Sequence, residues 1–180
     1  PLPNDAPHLL ERLAAEQPGQ RIQTSVRQAL QRQTQALVNR YAREYSSNHI
    51  HNLAAIVADV ETGEVLAYAG NATYPADERR GNQVDIISSP RSTGSILKPF
   101  LYAGMLHDGL LLPSMLVSDV PLNINGFSPH NYNKTFYGAV PAHVAIERSL
   151  NVPLVRMLSQ YNTGRFMSLL KSWGMTTLRF

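Results

Sequence analysis

The sequence predicts an α+β fold, with helices and antiparallel strands in separate stretches of the chain. Strands are indicated by two apolar runs, 53–60 and 65–69, which a short polar segment joins. Helices are indicated by apolar residues at helical spacing over 28–45 and by an apolar segment from Ser95 to Leu106. At 180 residues, 43% of them hydrophobic, the chain is long enough to bury a core of its own.

The N-terminal segment, residues 1–20, holds four prolines and is predicted to be an interdomain linker with a helical turn around His8 to Ala15. Alternating polarity predicts a short edge strand over Arg21–Val26. A long helix then fits Gln28–Tyr45, because its apolar residues recur on one face, opposite arginine and glutamine.

The two apolar runs predict an antiparallel hairpin whose turn places Gly63 at positive φ. A polar, irregular stretch, 71–89, follows the hairpin. The next helix is predicted to begin at Ser95 and to stop before Gly109. Apolar residues lie all round this helix, which is typical of a buried central helix.

The second half of the chain alternates between loops and helices. Residues 113–138 are rich in Pro, Asn and Gly and predict loops, with a short hairpin about Asn125–Gly126. Three helices are predicted after them: one from Pro141 to Arg148, one opening at Pro153, and one over Arg165–Trp173 with Gly174 as its stop.

The composition excludes several classes of function. The net charge is only +3 and no block of five like charges occurs, so no nucleic-acid partner is predicted. The chain has no cysteine, which excludes disulfides, thiolate metal sites and thiol catalysis. No apolar stretch approaches the roughly 20 residues that cross a bilayer. Because the chain starts at Pro1 without Met or a signal-peptide pattern, we expect it to be part of a longer protein.

The first chemical motif is Ser95-Ile96-Leu97-Lys98. A spacing of three places Lys98 on the same helix face as Ser95, within side-chain reach. Ser95 would lie near the positive end of the helix dipole, which stabilises developing negative charge. Lys98 can accept the Ser95 proton only when it is neutral, and lowering its pKa from about 10.4 to about 7 costs roughly 4 to 5 kcal/mol. An apolar helix is a setting where burial could supply that shift.

The second motif is Ser149-Leu150-Asn151, on a loop between two predicted helices that could face the start of the Ser95 helix. There a hydroxyl could relay a proton to a leaving amine, and a carboxamide could orient Lys98 and a substrate backbone. A simpler interpretation is that Ser149 ends one helix and Asn151 caps the next. Both interpretations can hold together.

Motifs this short also occur by chance. Ser168–Lys171 repeats the first spacing inside an amphipathic helix, and Ser46–Asn48 repeats the second; both are interpreted as ordinary surface residues. The six histidines show no metal-ligand spacing, so no metal site is predicted. No nucleophile-elbow sequence supports a Ser-His-Asp triad.

Three segments together resemble a known family. Arg91–Ala103 resembles the active-site helix of the bifunctional (class A, high-molecular-mass) penicillin-binding proteins, and Glu147–Pro153 is similar to their second motif. Ala54–Gly70 resembles the first hairpin of their transpeptidase domain. The likeness spans roughly residues 21–180. It implies the N-terminal part of the fold shared with serine β-lactamases: a helical cluster around the Ser95 helix plus part of an antiparallel sheet.

The resemblance implies a serine D,D-transpeptidase that cross-links peptidoglycan. Ser95 would be the nucleophile, Lys98 the general base, Ser149 the proton relay and Asn151 the substrate-orienting group. Peptidoglycan stem peptides and β-lactams would be its ligands, other cell-wall synthesis proteins its partners, and no cofactor would be needed. A membrane anchor and a glycosyltransferase domain would precede the chain, at the periplasmic face of the cytoplasmic membrane in the bacterial cell envelope.

The third motif of that family, Lys-Thr-Gly, does not occur in these 180 residues. In the family its strand supplies a cation for the substrate carboxylate and one of two oxyanion donors, and loss of one such donor costs about 100- to 1000-fold in rate. We therefore expect little or no transpeptidase activity from these residues alone. Two alternatives stay open: a non-catalytic penicillin-binding sensor or interaction scaffold, and a β-lactam hydrolase.

Overall fold

The computed structural model describes residues 4–73 and 78–178. The chain divides into two compact units, Pro1–Arg91 and Ser92–Phe180. Each unit combines helices with one two-stranded antiparallel sheet, which confirms the α+β prediction. Within the described ranges, none of the helices has the length and apolar character that crossing a membrane requires.

The first unit packs helices α1 (Pro7–Glu16) and α2 (Gln28–Glu44) against a hairpin of β1 (Ala55–Ala58) and β2 (Val65–Ala69). The hairpin turn holds Gly63 at φ +72°, as predicted. Helix α1 is longer than the turn expected for this segment, and its His8 is buried and donates from Nε2 to the Asn82 carbonyl at 2.8 Å. A small apolar cluster in this unit is formed by Val38, Ala42, Ala69 and Ala72.

The predicted edge strand over Arg21–Val26 was wrong, because this segment forms no regular strand. Ser25 Oγ donates to the Val65 carbonyl at 2.9 Å, and only after this segment does a backbone amide, that of Arg27, donate to Leu66 at 2.9 Å. In a paired strand, a backbone amide would donate to the Val65 carbonyl. Here the Ser25 hydroxyl donates to it instead. Alternating polarity cannot distinguish these two cases.

The second unit combines helices with a small sheet. Its strands β3 (Leu116–Asp119) and β4 (Gly138–Pro141) pair antiparallel and were missed, because each has only four residues at the ends of a Pro-, Asn- and Gly-rich stretch. The predicted turn at Asn125–Gly126 is confirmed, with both residues at positive φ, as a type I′ turn requires. The helices are α3 (Lys98–His107), α4 (Ala142–Glu147), α5 (Asn151–Tyr161) and α6 (Thr163–Ser172).

Helix α3 follows a 3₁₀ turn, Gly94–Leu97, so Ser95 lies just before the α-helix and not inside it. The prediction that α3 is buried all round was wrong: Ile96 in the entering turn is 71% exposed, and Pro99 is also exposed. The other helices of the unit cover only one side of α3, which is apolar on every side. The buried core on that side is formed by Leu101, Met105, Leu154, Met157, Tyr161, Phe166 and Leu170.

Candidate active site

The Ser149 backbone is shaped by the end of helix α4. The Leu150 amide donates to the Ala145 carbonyl at 2.9 Å and the Ser149 amide to Ile146 at 3.0 Å, which is the Schellman arrangement. Ser149 occupies the left-handed position of this motif, with φ +51°, where glycine is usual. A non-glycine residue in this conformation costs about 1–2 kcal/mol. Ser149 therefore ends its helix, as predicted, in a strained conformation.

Lys98 reaches across to this loop from the first turn of α3. Its Nζ donates to the Ser149 carbonyl at 2.7 Å, to Ser149 Oγ at 3.1 Å and to Asn151 Oδ1 at 2.7 Å. Three acceptor oxygens match the three N–H donors of an ammonium group. Both motifs found in the sequence thus meet at one nitrogen atom.

The protonation of Lys98 is set by opposing effects. Burial lowers the pKa of Lys98 below the ordinary lysine value, because a charged group loses its hydration. The oxygen acceptors by themselves favour the ammonium form. Once neutral, Lys98 keeps two N–H donors and gains a lone pair, which can accept a proton from a hydroxyl that enters the site. Ser149 Oγ can then turn from acceptor to donor.

Ser95 lies in the 3₁₀ turn, where residues three apart lie above one another. The Lys98 backbone amide donates to the Ser95 carbonyl. The Ser95 side chain is exposed, and its hydroxyl makes no hydrogen bond to any residue that the structure describes. The structure thus joins Lys98, Ser149 and Asn151 by hydrogen bonds and leaves the exposed Ser95 hydroxyl outside this set of bonds.

Asn151 uses both ends of its carboxamide. Its Oδ1 accepts from Lys98, and its Nδ2 donates to the His130 carbonyl at 2.8 Å. The prediction that Asn151 caps helix α5 was wrong, because it is the first helical residue and its side chain points to Lys98. Its own amide donates to Asn131 Oδ1 at 2.9 Å instead.

Two buried residues behind the site were missed by sequence reasoning. Asn131 Nδ2 donates to Asp119 Oδ1 at 2.9 Å and Oδ2 at 3.0 Å. The Tyr137 amide donates to Asp119 Oδ2 at 2.9 Å. The sequence around Asn131 and Asp119 did not indicate a role in the site, since an Asn in an Asn-rich loop and an Asp before a Pro-rich segment both predict turns.

An apolar cleft of about 530 Å³ opens beside Lys98 and Asn151. Its polar lining comes from Lys98, Asn151, Ser128 and His130. Most of its wall comes from apolar residues of the 3₁₀ turn and of helices α3, α5 and α6: Leu97, Leu101, Leu154, Val155, Leu158 and Phe166. A ligand that reached Lys98 would therefore meet an apolar surface next to it.

The chance motifs behave as surface residues. Ser168 Oγ donates to the Gly164 carbonyl four residues earlier at 3.0 Å, and Ser46 Oγ donates to Arg43 at 2.7 Å. Both are ordinary local bonds at helix surfaces. Over residues 4–73 and 78–178, no three His, Cys, Asp or Glu side chains lie close enough together to share a metal ion.

Comparison with known sequences identifies the family. Residues 53–178 match the family model described as the penicillin-binding protein transpeptidase domain. The chain is 32% identical to penicillin-binding protein 1C of Escherichia coli over 97% of its length, which is 22% of that protein. It is 30% identical to penicillin-binding protein 1B of Vibrio cholerae over 58% of its length, 14% of that protein. The chain thus spans less than a quarter of these relatives.

Solved structures agree in fold. PonA1 of Mycobacterium tuberculosis in complex with penicillin V superposes with a TM-score of 0.64 at 20% identity, over 96% of this chain and 45% of that one. Apo penicillin-binding protein 3 of the same organism gives a TM-score of 0.65 at 25% identity, over 83% of this chain and 34% of that one. With the Ser95 and Ser149 motifs inside the matched segment, the chain belongs to the family of penicillin-binding protein transpeptidase domains.

Proposed function

We propose that this chain carries the nucleophile, base and proton relay of a serine D,D-transpeptidase that cross-links peptidoglycan. The observation that carries the proposal is the position of Lys98 Nζ, which Ser149 and Asn151 hold at 2.7–3.1 Å. Burial lowers the pKa of Lys98 there, and a general base works best when its pKa is near the operating pH.

In the first step, Ser95 Oγ attacks the carbonyl carbon of the penultimate D-alanine of a stem pentapeptide. Lys98 takes the Ser95 proton as the new C–O bond forms. The C–N bond to the terminal D-alanine then breaks, and its nitrogen receives a proton that Ser149 passes on from Lys98. Asn151 Oδ1 holds Lys98, and one of the two Nδ2 hydrogens donates to the His130 carbonyl; the second Nδ2 hydrogen orients the substrate backbone.

In the second step, an amine from a neighbouring stem peptide attacks the acyl-enzyme carbonyl. Lys98 and Ser149 remove a proton from this amine, and the Ser95 oxygen leaves as a hydroxyl. Water competes for the same carbonyl, so exclusion of water favours cross-linking over hydrolysis. β-Lactams acylate Ser95 in the first step because they present a reactive amide to the same groups.

The proposal extends to the protein that contains these residues. We expect it to carry a peptidoglycan glycosyltransferase domain and a membrane anchor and to act at the periplasmic face of the cytoplasmic membrane. Its partners would be other cell-wall synthesis proteins. Curated relatives named penicillin-binding proteins 1C and 1B, each far longer than this chain, support an envelope location.

One observation favours a second candidate. Ser95 is exposed, and its hydroxyl makes no hydrogen bond to Lys98; a chain that kept this arrangement would lack the contact through which Lys98 removes the Ser95 proton. A non-catalytic sensor is therefore the second candidate. A β-lactam hydrolase would differ from both, because it would open many β-lactam molecules for each protein molecule.

Release of D-alanine from a stem pentapeptide ending in D-Ala-D-Ala tests the proposal. We expect the full-length protein to release D-alanine and to transfer the acyl group to an added amine. Ser95→Ala should abolish both reactions, and Ser168→Ala, a matched change in the other Ser-x-x-Lys sequence, should leave both unchanged. Wild-type protein that releases no D-alanine, or a Ser95→Ala variant that still does, would contradict the proposal.

A further inference from the structure

The N-terminus of helix α5 is capped by a side chain from a distant loop. The α5 N-cap residue, Leu150, has no side chain that can accept a hydrogen bond. Asn131 Oδ1 accepts instead from the Asn151 amide at 2.9 Å and from the Val152 amide at 3.2 Å. Pro153 follows and has no amide hydrogen. All the free amides of this helix end therefore have a partner, and a single oxygen atom holds two of them.

Asp119 determines which way the Asn131 carboxamide faces. Asp119 is 0% exposed and Asn131 is 3% exposed, so water does not replace either partner. Both carboxylate oxygens of Asp119 face Asn131 Nδ2, at 2.9 and 3.0 Å. A flipped carboxamide would bring its oxygen against this carboxylate and its NH₂ against the helix amides. Only the observed orientation lets Asn131 cap the helix.

The capped residues are also those that contact Lys98. Asn131 binds the backbone of Asn151, whose side chain accepts from Lys98 at 2.7 Å. The carbonyl and hydroxyl of Ser149, two residues earlier, also accept from Lys98. A shift at the start of α5 would displace Asn151 Oδ1 from Lys98 directly and would pull on Ser149 through Leu150, the residue between them.

We propose that Asn131 and Asp119 are positioning residues for the transpeptidase reaction: through the start of helix α5, they hold Asn151 and Ser149 against Lys98. The inference rests on the proposed function, because its effect appears in the acylation of Ser95. It assigns a role in the reaction to two residues outside the Ser-x-x-Lys and Ser-x-Asn motifs. Neither of them touches substrate.

The test exchanges the carboxylate and the carboxamide. Asn131→Asp places two carboxylates face to face, and we expect a 10- to 100-fold slower first-order acylation step with benzylpenicillin. The dissociation constant of the preceding non-covalent complex should stay within threefold. The double variant Asp119→Asn/Asn131→Asp restores one donor and one acceptor between these positions, but the bond from Asn131 Nδ2 to the Thr135 carbonyl, at 2.9 Å in the wild type, stays lost. It should therefore recover part of the acylation rate that Asn131→Asp loses.

Asn133→Ala is the matched control. Asn133 lies in the same loop and also makes two side-chain hydrogen bonds, to the Tyr137 hydroxyl and from the Thr135 amide, without contact to α5. We expect its acylation rate to stay within twofold of wild type. Hydrogen exchange of the Asn151 and Val152 amides should accelerate in Asn131→Asp and not in Asn133→Ala.

The outcomes separate the two claims. A wild-type protein that benzylpenicillin does not acylate would contradict the proposed function, and this inference with it. An acylated wild type whose Asn131→Asp variant reacts equally fast would contradict only the inference. The same holds if Asn133→Ala slows acylation as much as Asn131→Asp, or if the double variant recovers nothing.

Discussion

The conformation of Ser149 is expected to lower the free energy of unfolding, although its hydroxyl contributes to the candidate active site. Its φ of +51° costs about 1–2 kcal/mol for a residue with a Cβ. Glycine would remove this cost, although its greater freedom in the unfolded chain returns about 0.5–1 kcal/mol. Ser149→Gly should therefore be about 0.5–1 kcal/mol more stable than Ser149→Ala, since both variants lose the same hydroxyl and its 3.1 Å bond to Lys98.

The assay is chemical unfolding of both variants, with a matched pair at Ser168. Ser168 is exposed in the middle of helix α6, and its hydroxyl also makes one hydrogen bond. There the order should reverse, with Ser168→Ala about 1 kcal/mol more stable than Ser168→Gly. Both Ser149 variants should also lose about 100-fold or more in acylation rate, as expected for a proton relay. A Ser149→Ala variant as stable as Ser149→Gly, or fully active variants, would refute this reasoning.

Three further predictions concern stability and pH. Gly104→Ala would bring a Cβ within 2.5 Å of Leu169 Cδ2 and 3.2 Å of Tyr161 Oη. The crowding should cost about 1–3 kcal/mol, of which the better helix propensity of alanine returns about 1 kcal/mol, so we expect a net loss of up to about 2 kcal/mol in unfolding free energy; a more stable variant would contradict the close packing of α3 on α6. Gln31→Ala would leave the amide and carbonyl of Tyr68 without their buried partner and should cost about 1–3 kcal/mol by the same assay; a neutral effect would show that water replaces the side chain. The acylation rate should rise with pH along a limb centred below the ordinary pKa of lysine, because burial lowers the pKa of Lys98 and only the neutral amine accepts a proton; a rate independent of pH would contradict that role.

Local patterns predicted most of the fold. The 55–69 hairpin and the helices of the second half were predictable because apolar spacing, proline at helix starts and Gly174 after α6 are all local signals. Strands β3 and β4 were not, because their pairing joins segments about twenty residues apart within a loop-like composition. The exposed face of α3 was not predictable either, since composition shows how apolar a helix is and not what covers it.

The candidate site was predictable in part. Two short motifs identified Lys98, Ser149 and Asn151, whose side chains the structure brings together. The strain at Ser149 had no signal, because no local rule places a serine in the left-handed conformation. No local pattern indicated Asn131 and Asp119 either. Asn131 accepts from the amide of Asn151, twenty residues later in the chain, and Asp119 acts through Asn131.

Mapping of the covalent benzylpenicillin adduct tests the account most directly. After a short incubation of the full-length protein, digestion and mass spectrometry should find one acylated peptide, the one that contains Ser95. The adduct should disappear in Ser95→Ala, form far more slowly in Lys98→Met, and persist in Ser168→Ala. An adduct on Ser149 or Ser168, or one that survives Ser95→Ala, would contradict the claim that Lys98 activates Ser95.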